Sequence, residues 1–332
     1  LGQEYVAGEV LLAGGPGDIV RAMESGYRVI SQQQLGADGR LLARLLVPTS
    51  LNINQAIDEL RAIAPAALVT INTAYRTTQA TRFAAAAAPP AGRPLGPGHL
   101  GVIDTGADPA TLATAEAMVA SRGFGPAGYR AREHGSAVAS IATRRGVRVS
   151  VADVFSPSTT GAPIASASAI AAALQWMLDA GVPVINISIE GPQNQVLERI
   201  IGEAARSGHI LVAAAGNGGP MAEPAYPGAY DGVLAVTAVD RTGHAYFRAN
   251  RGDYVDFAAL GVDVPVRVVG GYANVSGTSF ASPMVAAEIA ARLHHPSPAD
   301  AARVIAELLQ GALDRGRPGR DPIYGWGEVR TD

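Results

Sequence analysis

From residue 99 onward, short runs of continuously apolar residues alternate with alanine-rich stretches of helical spacing. "HLGVID" is followed by "HGSAVASIA", "VSVADVF" by "ASASAIAAALQWMLDAG", and "VPVINIS" by "VLERIIGEAARSG"; "HILVAAAG" and "GVLAVTAVD" come next. A strand that is apolar at every position, rather than at alternate ones, is buried on both faces. Parallel strands meet that condition, because their long crossovers carry helices that cover the sheet above and below. Gly181 and Gly208 end two of the helices just ahead of strands. The pattern predicts an α/β fold over residues 99–332, a doubly wound and mostly parallel sheet. In such sheets a site forms beyond the carboxyl ends of the strands.

Residues 1–75 read as a separate small unit. "EVLLA", "GDIVRAMESG", "YRVISQQQL", "RLLARLLVP", "INQAIDELRAI" and "ALVTIN" follow the order β-α-β-β-α-β, a small α+β ferredoxin-like domain. That fold has many uses and by itself points to none. Residues 76–98 include "ATRFAAAAAPPAGRPLGPG", rich in Ala, Pro and Gly with no apolar period, and read as a linker or processing region.

Charge and cysteine content narrow the chemistry. Lys and Arg number 26 against 29 Asp and Glu, a net charge of −3, and no long basic run occurs, so a nucleic-acid partner is not expected. With no cysteine, disulfides, thiolate catalysis and Cys-type zinc sites are excluded. No apolar run approaches the length of about 18 residues that a membrane-spanning helix needs.

Four positions in the larger unit carry candidate chemistry. Asp104 ends the apolar strand "LGVID", a carboxylate at a strand's carboxyl end, where turn formation is the ordinary role of a lone Asp. His134 opens a helix of small residues suited to close packing; a lone His there is commonly structural. Asn217, in "VAAAGNGGP", follows another strand and is flanked by small residues; most such Asn residues belong to loops, but its amide is the donor type that stabilises an oxyanion. Ser279, in "VSGTSFASP", begins an alanine-rich helix after Gly277, which permits a sharp turn. Helix-cap duty is the usual role of such a serine, yet the helix N-terminus would also favour negative charge at its oxygen.

Each signal alone is weak; the order Asp, His, Asn, Ser is not. With "GVIDTGAD", "HGSAVASIA", "VINIS", "AAAGN", "YPGAY", "VDFAALGVDV", "SGTSFASPMVAA" and "YGWGEV", residues 99–327 resemble the subtilisin-like serine proteases, the subtilases. The resemblance implies a serine endopeptidase, with Ser279 as nucleophile, His134 as general base, Asp104 as its orienting carboxylate, and Asn217 with the Ser279 amide as oxyanion donors. It also implies that Ser188, Ile189, Glu190 and Gly191, at the end of "VINIS", bind extended substrate. Residues 1–75 resemble the family's inhibitory propeptide, which implies that the N-terminal unit is an intramolecular inhibitor and that the protein is secreted or periplasmic. Protein or peptide substrates are the implied partners.

The chain departs from the family in several places, among them a short stretch ahead of Asp104, "PATL" after "DTGAD", and Ser136 and Ser140 in "HGSAVAS"; two others bear more directly on the chemistry. Glu190 stands where subtilisins commonly have Gly, and a carboxylate there would favour basic substrate side chains. The stretch "TRRGVRVSVADVF" lacks the oxygen ligands of the calcium loop often found after the histidine helix, so no metal or cofactor is expected there, a calcium site elsewhere staying open. Two other readings compete: a protease-shaped scaffold permanently blocked by its N-terminal unit, and a nucleotide-binding α/β protein, for which "GGPGD" at 14–18 lies in the wrong unit.

Overall fold

The computed structural model describes residues 4–36, 38–77, 81–88, 94–158 and 161–331. The first unit comprises β1 (Tyr5–Gly14), α1 (Pro16–Glu24), β2 (Arg28–Leu35), β3 (Arg40–Leu46), α2 (Ile53–Ile63) and β4 (Leu68–Thr77). Its strands run antiparallel in the order β2-β3-β1-β4. Alternate residues of β1 serve two cores, as a strand's period of two requires. Val10 and Leu12 pack with Ile19, Ala56 and Leu60 of the unit's own helices. Leu11 and Ala13 face the larger unit.

A short strand, β5 (Thr81–Ala86), lies between the units. The larger unit begins with β6 (Gly98–Asp104), β7 (Met118–Gly123), α3 (Glu133–Thr143) and β8 (Val147–Asp153). A hairpin of β9 (Phe155–Ser158) and β10 (Gly161–Ser166) leads into α4 (Ala167–Asp179). Then come β11 (Val184–Ile187), β12 (Ile189–Glu190), α5 (Gln195–Arg206), β13 (Ile210–Ala214), β14 (Val233–Val239) and β15 (Val255–Leu260). The hairpin of β16 (Val264–Val268) and β17 (Gly271–Ser276) precedes α6 (Thr278–Ala290) and α7 (Pro298–Gly311).

Seven strands form one sheet in the order β15-β14-β13-β11-β6-β8-β7, and every neighbouring pair is parallel. Its strands feed two cores. Val102, Val184 and Val212 pack with α3 and α6 on one face. Ile103, Ile185 and Leu211 pack with α4, α5 and the sheet of the first unit on the other. Continuous apolarity in the sequence has this cause. All thirteen residues of α6 are buried, as a helix apolar all round must be.

The first unit docks on the N-termini of two helices. The Asn72 side-chain oxygen Oδ1 accepts the Ser168 amide of α4 at 3.1 Å. Asn194, the N-cap of α5, donates to the Ile71 carbonyl and to Thr73 Oγ1, both at 3.1 Å. Each contact satisfies polar groups at a helix start that would otherwise be buried without partners.

The linker reading of 76–98 requires a correction, with residues 78–80 and 89–93 outside the described ones. Thr81–Ala86 is not a loose tether: β5 adds antiparallel to β17, pairing Thr81 with Ser276 and Ala86 with Tyr272. Strand addition uses backbone N–H and C=O groups, which an alanine run supplies without any apolar period to announce it.

Candidate active site

Asp104 lies at the carboxyl end of β6, next to the sheet's centre, and is fully buried. His134 is the second residue of α3. The start of α3 is pressed against the end of β6: a Cβ on Gly135 would stand 2.0 Å from the Thr105 carbonyl oxygen, so only glycine permits this approach. Gly135 N–H also donates to Thr105 Oγ1 at 2.8 Å. The approach brings His134 Nδ1 to 2.8 Å and 3.0 Å from the two Asp104 carboxylate oxygens. Oδ1 of that carboxylate further accepts the Thr105 amide at 2.6 Å.

Ser279 is the second residue of α6, so its amide belongs to the first helical turn, where N–H groups lack intrahelical acceptors. Its Oγ lies 3.1 Å from His134 Nε2. The Phe280 ring packs beside the imidazole, with centroids 5.4 Å apart. Three residues separated by up to 175 positions thus form one hydrogen-bonded line from carboxylate to imidazole to hydroxyl.

Asn217 completes the cluster. Its Oδ1 accepts from both the amide and the hydroxyl of Thr278, each at 3.1 Å. These two donated hydrogen bonds fix which end of the amide is oxygen and which is nitrogen. The nitrogen, Nδ2, is buried and has no protein partner. It faces the turn of Gly277 (φ 155°), where a Cβ would meet Nδ2 at 3.0 Å and Ser279 Oγ at 3.5 Å. A buried donor without a partner, on the same side of this turn as the serine hydroxyl, is the kind of group that can stabilise a transient oxyanion.

The four residues expected to bind substrate divide. Ile189 and Glu190 form β12, which pairs antiparallel with the chain's own β4, Ile189 with Thr77 and Glu190 with Arg76. Gly191 instead pairs with Tyr226 through two backbone bonds of 2.9 and 3.0 Å. Its missing side chain makes room for Tyr75, whose ring carbon Cδ1 would lie 2.4 Å from a Cβ there. Tyr75 is fully buried, donates its hydroxyl to the Pro192 carbonyl at 2.7 Å, and burial pushes that hydroxyl's pKa up to about 12.

The side chain of Ser188 is fully buried and turned to α6. Pro283, inside α6, has no N–H to give the carbonyl four residues back, which is that of Ser279. The Ser188 hydroxyl donates to that carbonyl at 3.1 Å and is itself held by Asn186 Nδ2 at 2.7 Å. Thus Ser188 steadies the turn bearing Ser279. Thr278 and Ser188 were not assigned these positions by sequence; the proline within a buried helix was the available signal for the second.

Glu190 is not a solvated rim carboxylate. Its Oε2 accepts the Asn217 backbone N–H at 3.1 Å. Burial raises its pKa, while that N–H and the charge of Arg248 oppose the rise. It lines a cavity of about 270 Å³ with Asn217, Gly218, Gly219, Phe247 and Arg248.

Residues 99–327 match the family model described as the Subtilase family. A thermophilic serine proteinase of Bacillus sp. (strain AK1) is 40% identical over 121 residues, 36% of this chain and 30% of that protein. Subtilisin DY of Bacillus licheniformis is 34% identical over 154 residues, 45% of this chain and 56% of that protein. The minor extracellular protease Epr of Bacillus subtilis (strain 168) is 31% identical over 160 residues, 47% and 25% of the two chains. The matched stretches therefore span between 25% and 56% of these relatives. Among solved structures, fervidolysin from Fervidobacterium pennivorans superposes with a TM-score of 0.81 over 99% of this chain and 60% of that one. At 20% identity this is a likeness of fold.

Proposed function

The chain belongs to the subtilase family, and on that premise we propose that it is a serine endopeptidase held latent by its own N-terminal unit. Ser279 Oγ attacks the peptide carbonyl while His134 Nε2 takes its proton, and Asp104 holds the Nδ1–H tautomer and stabilises the imidazolium. The oxyanion is received by Asn217 Nδ2 and the Ser279 amide. His134 then protonates the departing amine, and water, activated by the same imidazole, releases the acyl group. The observation that carries this reading is the line of bonds from Asp104 through His134 to Ser279 beside an unpaired amide nitrogen.

Latency is supported by β4. Its residues 74–77 lie between β10 and β12, in the position an extended substrate would take, with Tyr75 as the buried anchor. Relatives that include a named extracellular protease support an exported location. The same β4 pairing favours the second reading, a permanently blocked scaffold. One experiment separates them: label the full chain with a serine-directed fluorophosphonate before and after mild proteolysis of the connection between the units. Labelling at Ser279 that rises on nicking supports latency, whereas a chain inert in both states is a scaffold.

The anchor has its own test. Tyr75→Ala removes a ring that fills a closed site, and the expected result is at least a tenfold faster fluorophosphonate reaction of the un-nicked chain. An unchanged rate would show that β4 is held without it.

Glu190 gives the reading a substrate preference. A cationic side chain entering its cavity would meet a partly desolvated carboxylate, where attraction is stronger than at a wet surface, and would share that carboxylate with Arg248, which lines the same cavity. Glu190→Gln is expected to lower the preference for Arg or Lys over Met by about fivefold to tenfold in a peptide-library assay. Because burial raises this pKa, the carboxylate takes up its proton at a higher pH than an ordinary glutamate. The basic preference is therefore full above that pKa and fades as pH falls through it.

A further inference from the structure

We propose that the edge of β17 covered here by β5 is a docking strand for the part of a substrate that follows the cleaved bond, which takes the place of β5 as an antiparallel strand well beyond the residues beside Ser279. The inference rests on the endopeptidase reading and deepens it to a substrate class: chains that can lie extended on both sides of the bond.

β17 is tied directly to the nucleophile. It ends at Ser276, only Gly277 and Thr278 precede Ser279, and Gly277 N–H bonds to the Gly261 carbonyl at 2.8 Å. On its other side β17 pairs along its length with β16, from Val264–Val275 to Val268–Gly271, so its backbone is held rigid. The three-stranded sheet runs β16-β17-β5, which makes β17 an edge strand whenever β5 is absent. An edge strand presents a row of unpaired N–H and C=O groups.

The chain's own connection displays the direction of binding. Thr77 pairs with Ile189 on one side of the site, and Thr81 pairs with Ser276 on the other. Of the described residues, those up to Thr77 thus lie on β12 and those from Thr81 onward on β17, in N-to-C order. A substrate laid the same way puts its acyl part on β12 and its departing part on β17. The pairing of β5 then continues through Ala84, Ala85 and Ala86, opposite Asn274, Ala273 and Tyr272. Alanines offer little to a side-chain pocket, so these three residues are held through the backbone.

A cavity beside this edge has no such residue in it. It measures about 300 Å³ and has a mixed lining, with Val268, Val269 and Ala273 beside β17 and Asp108, Arg132 and Glu133 among the residues that complete it. Directly opposed residues of an antiparallel pair share a face. A side chain in the register of Ala85 therefore stands on the same face as Ala273 and its cavity. A substrate with a larger apolar residue there would fill space that alanine leaves open.

The test uses the full chain, nicked in its connection, with active sites counted by fluorophosphonate labelling. Peptides share one acyl-side sequence and carry either about two or about ten residues after the bond; a third is the long peptide N-methylated at alternate amides of its departing part. The long peptide is expected to have about tenfold higher kcat/KM, from several added backbone bonds offset by the ordering of the peptide. N-methylation is expected to remove the gain. Ala85→Pro weakens the pairing of β5 without touching the site; it is expected to enlarge the advantage of the long peptide and to leave an anilide substrate unaffected. Equal kcat/KM for short and long peptides in both proteins would overturn the docking strand. Absence of labelling would instead remove the endopeptidase reading, and this inference with it.

Discussion

Ser279→Ala will leave the protein folded and reduce peptide hydrolysis on the order of 10⁶-fold, the size known for the same triad in subtilisin rather than one derived from these distances. The side chain is fully buried and loses a single oxygen, so no cavity of consequence forms. What disappears is the nucleophile and its bond to His134 Nε2. Fluorophosphonate labelling should vanish with it. His134→Ala should cost about as much, and the double variant little more than either alone. Hydroxyl and imidazole act in one step, so the second loss removes nothing that still works. A thermal melt close to that of the unaltered chain is the control. Retained hydrolysis in Ser279→Ala would assign the chemistry elsewhere.

Asn217→Leu will lower kcat by roughly 10²–10³ with KM nearly unchanged, the size known from subtilisin's own oxyanion asparagine. Asn217 Nδ2 is buried with no protein partner, so its bond to an oxyanion is available chiefly to the transition state. An interaction made there and not in the ground state raises kcat rather than affinity. The same change leaves the amide and hydroxyl of Thr278 without the Oδ1 they donate to. Stability should therefore fall by about 1–3 kcal/mol, readable as a lower midpoint in urea. A rise in KM with kcat intact would mean that Asn217 binds substrate and not the oxyanion.

The alternation of fully apolar strands with small-residue helices was enough to read a parallel sheet covered on both faces, because burial on both sides leaves no polar position in a strand. The β-α-β-β-α-β order of the first unit was legible for a related reason: its period-two and helical patterns are local. Asp104, His134, Asn217 and Ser279 could be picked out because each stands where a strand ends or a helix begins.

What the chain order could not say is which segments add to which edges. β4 lies against β12 and β5 against β17 across more than a hundred residues of sequence. Those ladders are made of backbone groups that every residue carries, so an alanine-rich stretch read as a tether is in fact a strand. The Ser188 side chain serves the carbonyl of Ser279 that Pro283 leaves without a donor, a bond no local pattern announces. Gly191 pairs with Tyr226 and makes room for the ring of Tyr75, a contact between segments more than a hundred residues apart. The types and order of the chemical groups were set by the sequence alone. Their partners were decided only by the tertiary structure, because a hydrogen bond depends on positions within about 3 Å, which distant segments acquire only when the whole chain is packed.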